Sequence, residues 1–188
     1  MVIFLFALWG YRYAVYQTSK RGGGMRRYWN YLKYVLRHKW FVFLACWELG
    51  IPWQGIIHDW HKFMPREFIP YARFFNNPDG SKRIVRDKVG YYKPDFTGDP
   101  DFDMAWFWHQ KLGKHHWQYW THPASETKEN IIVHEIPEKY LKEMFADWIG
   151  AGKAQGTPDT AAWYLAHKNE MQIHEDSRRI LEFWIGVC

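Results

Sequence analysis

The residue types best suited to chemistry are concentrated in one short segment, HDWHKF, which runs from His58 to Phe63. The adjacent His58 and Asp59 offer one imidazole nitrogen and one carboxylate oxygen, a mixed pair that suits Mn, Fe, Co, Ni or Zn. In a helix, Lys62 would follow one turn after His58 on the same face, where its ammonium can hold a phosphate oxygen. The segment therefore predicts a divalent-metal site for a phosphorylated molecule, with Asp59 and Lys62 as catalytic residues.

The elements that must position this segment are predicted to be helices. The stretch from Met25 to Gly50 carries apolar residues around most of its circumference, which is typical of a helix buried on several sides. A second helix is predicted from Trp53 to Phe63, and Pro65 suits the first turn of a third. Residues 76–103 are rich in Gly, Pro, Asp and Asn and predict a long irregular loop, which we expect to be mobile and close to the metal site.

The second half of the chain again follows helical patterns. Further helices are predicted at residues 104–112, 115–120, 137–152, 160–171 and 176–184, with an extended segment at residues 131–133. Gly150 and Gly152 suit the end of the longest of these, and Asp159 suits the cap of the next. The predicted fold class is all-α, a single-domain helical bundle over residues 25–188 with the long loop between its third and fourth helices.

Composition and charge limit the class of protein. Hydrophobic residues make up 47% of the 188 residues and aromatic residues 20%, which excludes a disordered chain. The two cysteines, Cys46 and Cys188, predict a reducing cytoplasm and no disulfide framework. The net charge is +5, and residues 1–40 carry eight Lys or Arg with no Asp or Glu. Such a basic face attracts nucleic acid, anionic lipid or a phosphorylated small molecule, and charge alone does not choose among them.

The N-terminal residues form a separate apolar stretch, MVIFLFALWGYRYAVY, which is shorter than the roughly 20 residues that a membrane span needs. No basic segment precedes it, so a secretory signal fits poorly. We therefore expect no membrane span. Residues 20–24, just before Met25, read as a translated ribosome-binding sequence. Residues 1–24 are accordingly expected to be an N-terminal extension that is either not native or a weak apolar anchor.

A wider pattern surrounds the His58-Asp59 pair. Together with the earlier helical His38 and the later helical Asp147, the pair resembles the ligand set of the HD-domain superfamily of metal-dependent phosphohydrolases. The resemblance implies an HD-type helical fold in which these four residues bind a divalent ion, Mn, Fe, Co, Ni, Zn or Mg. It also implies hydrolysis of a small phosphorylated substrate such as a nucleotide.

A second part of the resemblance concerns His115 and His116, which are similar to the paired histidines of members that hold two metals. It implies one or two ions, and the choice among His109, His115 and His116 stays open. Four longer segments, LRHKWFVF, HDWHKFMPREFIPYARFF, HHWQYW and EMFADWIGAG, are similar to a small family in bacteria and phages known only as a domain of unknown function. That likeness covers about residues 25–179 and brings no substrate with it.

Two other classes of protein fit the same residues. The same ligand set on a related helical scaffold can hold di-iron and oxidise a small polyol or phosphonate. Alternatively, the chain is a non-catalytic module that binds a nucleotide or nucleic acid through its basic first helix. Of the other histidines, His61 is expected to be exposed or to support a ligand. Those at positions 122, 134, 167 and 174 are expected to be structural or on the surface.

Overall fold

The computed structural model describes residues 24–83, 97–125 and 130–187. The predicted N-terminal extension, apart from residue 24, and residues 84–96 of the predicted loop lie outside the described residues. The expectation that this loop is mobile and close to the metal site therefore stays a prediction.

Within the described residues the chain is mostly helical, and the predicted all-α class is confirmed. The α-helices are α1 (Arg26–Glu48), α2 (Pro52–Ile57), α3 (Pro65–Phe75), α4 (Pro100–Leu112), α5 (Glu138–Gln155), α6 (Thr160–His167) and α7 (Glu175–Ile185). None of these described helices combines the length and the apolar character that crossing a bilayer requires. The HD-type arrangement of the helices remains a prediction.

A short antiparallel pair of strands interrupts the helices. Strand β1 covers Thr121–Pro123 and strand β2 covers Ile131–Val133, with Thr121 opposite Val133. The extended segment predicted at residues 131–133 is thus confirmed. Its run of β-branched residues explains why it does not continue a helix.

The described residues fall into two compact units. Unit 1 comprises residues 24–37, 59–83 and 97–109, and unit 2 comprises residues 38–58, 110–125 and 130–187. The chain passes from one unit to the other inside α1, and again between His58 and Asp59. The single domain expected over residues 25–188 stays a prediction.

Unit 1 has an aromatic core. Phe74 and Phe102 stack with their ring centroids 3.7 Å apart, and Tyr31 meets Phe68 edge-on at 5.1 Å. Burying each such side chain contributes about 1.5–3 kcal/mol. Pro65 begins α3 as predicted. The packed α3 therefore gives a fixed frame to the residues just before it, which include Asp59 and Lys62.

Unit 2 is built around the last three helices. Its most deeply buried apolar side chains are Leu141, Met144, Tyr164 and Leu181. Asp159 caps α6 by accepting a hydrogen bond of 2.9 Å from a backbone N–H in the first turn, as predicted. A smaller core, formed by Val42, Ala45, Cys46 and Ala146, packs the second half of α1 against α5.

The prediction of one continuous helix from Trp53 to Phe63 is wrong. Helix α2 ends before His58, and a separate 3₁₀ helix covers Trp60–Phe63. Between them Asp59 has a φ of 50°, the only left-handed backbone at a non-glycine residue in the described part of the chain. Aspartate tolerates this conformation better than most residues. Lys62 therefore does not follow His58 by one turn on a shared helical face, and that prediction is corrected.

Three other predicted boundaries also differ. Helix α4 begins at Pro100, because Asp99 caps it by accepting from the backbone N–H of Phe102 at 3.2 Å. The segment at residues 115–120 is a 3₁₀ turn over residues 117–120. Gly150 and Gly152 lie inside α5, which ends at residue 156 with a φ of 85°.

Gly150 lies inside α5 because this helix approaches α1 closely. A methyl group at residue 150 would lie 2.4 Å from Val42 Cγ2 and 2.8 Å from the Val42 backbone nitrogen. Only a residue without a side chain permits this approach. His38 lies one turn before Val42 on α1, and Asp147 lies about one turn before Gly150 on α5. The close crossing therefore brings His38 and Asp147 together.

We expect Gly150→Ala to lower the free energy of unfolding by about 1–2 kcal/mol, because overpacking outweighs the gain in helix propensity. The added methyl meets the backbone of Val42, which cannot move away by side-chain rotation. Urea unfolding followed by circular dichroism measures the change. Val42→Ala should relieve part of the loss in the double variant. A Gly150→Ala protein as stable as the original would contradict the close approach.

Candidate functional site

A buried cluster of histidines and carboxylates lies within unit 2. Its members are His38 from α1, His58 at the end of α2, His115 after α4, and Glu143 and Asp147 from α5. The three histidines are at most 3% exposed. The two carboxylates are four residues apart and project from one face of α5. Groups of this kind are stable in a core only with hydrogen bonds or a compensating cation.

Glu143 fixes the orientation of two imidazoles in this cluster. Its Oε1 lies 3.1 Å from Nδ1 of His58 and 3.3 Å from Nδ1 of His115. Each Nδ1 therefore carries the N–H that Glu143 accepts. The Nε2 atoms are then electron-pair donors, which is the form of imidazole that binds a metal. Lys39 also holds His58 in place, because its ammonium donates to the His58 carbonyl oxygen.

His58 faces a second carboxylate through its other ring nitrogen. Its Nε2 lies 3.3 Å from Oδ1 of Asp147, and Nε2 of His38 lies 3.1 Å from the same oxygen. A neutral imidazole has one N–H, so His58 in its neutral form donates to only one of Glu143 and Asp147. Adjacent ligands with bonds of about 2.1 Å to one ion stand about 3.0–3.4 Å apart. Each of the two nitrogens therefore stands at the spacing of a neighbouring ligand from the Asp147 oxygen.

The charges of this cluster also favour a cation. Burial raises the pKa of Asp147, but its contacts with two histidines outweigh burial and hold that pKa well below its ordinary value. Burial likewise raises the pKa of Glu143, and hydrogen bonds from His115 and His58 lower it by more. Both carboxylates are thus ionised at neutral pH. Burial, helped by these two negative charges, raises the pKa of Cys46 to about 12.

We expect Glu143→Gln to weaken divalent-metal binding by about 10- to 100-fold, the usual effect of losing the carboxylate that orients a ligating histidine. Calorimetric titration with Mn²⁺ or Zn²⁺ measures the affinity. Glu182→Gln is the matched control, since Glu182 also lies in unit 2 and accepts a hydrogen bond of 2.8 Å from Tyr164. Equal weakening in both variants would mean that Glu143 has no specific part in the site.

A second cluster of similar composition lies within unit 1. Asp59 Oδ2 lies 2.6 Å from the ammonium of Lys62, and Asp59 Oδ1 lies 3.6 Å from Nε2 of His61. The side chain of Lys62 is 12% exposed and that of Asp59 is 0% exposed. Lys62 therefore forms a largely buried ion pair with Asp59 in this structure.

Glu67 orients histidines in unit 1 in the way that Glu143 does in unit 2. Its Oε2 lies 2.9 Å from Nδ1 of His61 and 3.3 Å from Nδ1 of His109. Burial raises the pKa of Glu67, but hydrogen bonds from the two histidines bring that pKa down to about 2. Burial lowers the pKa of His109, which is therefore neutral at pH 7.

The structure divides the predicted site residues between the two clusters. The unit 2 cluster contains His38, His58, His115 and Asp147, and the unit 1 cluster contains Asp59 and Lys62. His116 packs its ring on that of His115, with centroids 4.2 Å apart. The described residues thus contain buried groups of histidine and carboxylate that could hold a metal ion.

The sequence predictions did not include the glutamates Glu67 and Glu143 in the site. They also did not place His61 and His109 among the main metal ligands. His61 is 4% exposed, so the expectation of exposure is wrong. His109 is 2% exposed and contacts Glu67. A signal existed for Glu143, which precedes Asp147 by four residues on a helix with apolar neighbours. A carboxylate on the buried face of an amphipathic helix needs a partner, and that test applied to α3 and α5 would have found both glutamates.

The remaining histidines lie away from these contacts. His122 and His134 are exposed on the strand pair, with their Nε2 atoms 3.0 Å apart. His174 accepts a hydrogen bond from the backbone N–H of Asp176 and caps α7. His167 is buried at the end of α6, where it packs on Trp163. His167 is therefore a buried histidine of unit 2 that does not belong to the cluster described above.

Comparison with known proteins gives one positive result. No curated protein and no solved structure matches the chain. A family of unknown function, DUF5662, matches residues 27–187, a range that includes every residue of both clusters. Since this match covers most of the sequence, the chain belongs to the DUF5662 family of unknown function.

Proposed function

We propose that the chain is a divalent-metal-dependent hydrolase of a nucleotide or another small phosphorylated molecule. One observation carries the proposal: His58 lies between the carboxylates of Glu143 and Asp147, and His38 approaches the same Asp147 oxygen. The resemblance of the ligand order to HD-type phosphohydrolases supports hydrolysis as the reaction. The paired orientation of His58 and His115 by Glu143 supports a site built to hold a metal.

The residues of unit 2 have separate parts in this proposal. His38, His58 and Asp147 would hold a divalent ion, which would supply the Lewis acid that activates water and polarises a phosphate. Glu143 keeps Nε2 of His58 directed at the ion. His115, whose Nδ1–H faces Glu143, accepts the proton of the attacking water at Nε2 and returns it to the leaving oxygen.

The proposal is tested with protein stripped of metal by a chelator and reloaded separately with Mn²⁺, Co²⁺, Ni²⁺, Zn²⁺, Mg²⁺ or Fe²⁺. Phosphate release is then measured from nucleotides and sugar phosphates, and ring opening to the nucleoside monophosphate is measured for cyclic nucleotides. We expect turnover of at least one class that depends on the added metal. Tight nucleotide binding without turnover under any metal would favour the binding module instead. Oxygen consumption by the iron-loaded protein would favour an oxygenase.

The resemblance of His58-Asp59-x-x-Lys62 to the HD-type phosphohydrolases makes Lys62 the proposed phosphate contact. We expect Lys62→Met to reduce phosphate release roughly 10- to 100-fold, because a contact between a charged donor and a phosphate is worth about 1.5–3 kcal/mol. Metal affinity should stay the same or rise, since an ammonium cannot bind a cation and lies 2.6 Å from Asp59. Steady-state kinetics and metal titration measure the two effects.

Lys142→Met is the matched control for this substitution. Lys142 also pairs with a carboxylate one turn away, with its ammonium 2.7 Å from Glu138, but it lies on the surface of α5. The control should keep its turnover. If Lys62→Met keeps its turnover as well, the phosphate role of Lys62 is wrong.

A further inference from the structure

Two clusters with the same internal pattern lie in different units of the chain. In each, one glutamate contacts Nδ1 of two histidines, and an aspartate faces the Nε2 side of at least one of these rings. In unit 2 the glutamate is Glu143 and the aspartate is Asp147, and in unit 1 they are Glu67 and Asp59. This repetition is informative because His61 and Glu67 were not among the predicted ligands.

The geometry points to a second metal site: we propose that unit 1 holds its own divalent ion, bound by His61, His109 and Asp59 and oriented by Glu67. His61, Glu67 and His109 form one buried group that could hold a metal ion, and Asp59 and His109 belong to another. The site belongs to unit 1 and does not depend on the hydrolase activity proposed above.

The ring orientations support this assignment. Nδ1 of His61 lies 2.9 Å from both oxygens of Glu67, so the N–H of that ring is directed at the glutamate. Nε2 of His61 then presents an electron pair to Asp59 at 3.6 Å, and Nε2 of His109 lies 3.9 Å from the same carboxylate. These separations exceed a hydrogen bond and lie between the roughly 3.4 Å of adjacent ligands and the roughly 4.2 Å of opposite ligands on one ion.

The balance of charge supports a cation as well. Asp59 and Glu67 are both fully buried carboxylates, and the ion pair with Lys62 compensates one of them. An excess negative charge in a core is costly without a cation or further donors. The hydroxyls of Tyr31 and Tyr71 are also buried, and neither makes a hydrogen bond with the residues that the structure describes. These two hydroxyls are therefore polar groups beside the aromatic core around His109. The ring centroid of His109 lies 6.0 Å from that of Tyr71.

The test counts the metal ions bound per chain, without any substrate. The exposed pair His122 and His134 could itself take up a metal ion, so all titrations use the His122→Ala/His134→Ala background. Equilibrium dialysis with Zn²⁺ and with Mn²⁺, followed by metal analysis, should find two ions per chain. His109→Gln should bind one ion, and so should His58→Gln. The double variant should bind none.

His167→Gln is the control and should keep two ions. If His109→Gln does not fold, His61→Gln replaces it, and circular dichroism decides which of the two is used. Two ions retained in the folded variant, or one ion in the parent protein, would overturn the second site. The outcome is separate from catalysis, because a protein that binds two ions without turnover would disprove the hydrolase and leave this site established.

Discussion

His58→Gln should remove the divalent ion from unit 2 and abolish phosphate release, with metal affinity falling at least about 100-fold. This effect should exceed the 10- to 100-fold loss expected for an orienting residue such as Glu143, because His58 itself contributes a ligand atom. His58 touches Glu143 through Nδ1 and Asp147 through Nε2, at 3.1 and 3.3 Å. Glutamine has a similar length but cannot present a nitrogen electron pair in the same direction.

His167→Gln separates this effect from the general cost of losing a buried histidine. Both histidines lie in unit 2, and both are at least nine-tenths buried. We expect the control to keep its metal and its turnover, with only its unfolding midpoint changed. Metal analysis and calorimetric titration of the two variants give the comparison. Full metal occupancy in His58→Gln would exclude His58 from the site.

Asp59→Asn should remove the ion proposed for unit 1, with metal affinity there falling by about 100-fold or more, while the helix content stays unchanged. Loss of a charged metal ligand is worth several kcal/mol, and each 1.4 kcal/mol is a factor of ten. Asparagine tolerates left-handed backbone as well as aspartate does, so the φ of 50° at this position adds no new strain. Alanine would add such strain and is the poorer test.

The same substitution leaves the ammonium of Lys62 without its carboxylate, which costs stability of roughly 3 kcal/mol for a buried pair. The double variant Asp59→Asn/Lys62→Met removes that unpaired charge. It should regain most of the lost stability in urea unfolding and none of the lost metal. If metal content returned together with stability, Asp59 would be a structural partner of Lys62 and not a metal ligand.

The parts of the fold that could be predicted were those set by a repeated local pattern. Apolar residues at helical spacing identified α1, α5 and α7, and Pro65 and Asp159 marked the starts of two helices. The break at Asp59 could not be predicted, because no glycine or proline marks it. It is fixed by packing around the 3₁₀ helix that follows, where Phe63 is buried in the unit 1 core.

The candidate site could be predicted only in part, for a related reason. His58 and Asp147 were found from residue types that are costly to bury without a partner. Glu67 and Glu143 were not found, because glutamate is common on exposed helix faces and the sequence does not show whether its side chain faces the core or the solvent. Orientation depends on which helices pack together, and that depends on contacts distant in the sequence.

The close approach at Gly150 has a consequence for the evolution of the family. The residue at position 150 has no space for a side chain because Val42 occupies it. A relative with alanine at position 150 should therefore carry a residue smaller than valine at position 42. A relative with isoleucine at position 42 should retain glycine at position 150. Positions 42 and 150 should covary. Because His38 and Asp147 depend on the same helix crossing, that covariation should be strongest in sequences that keep both of these ligands.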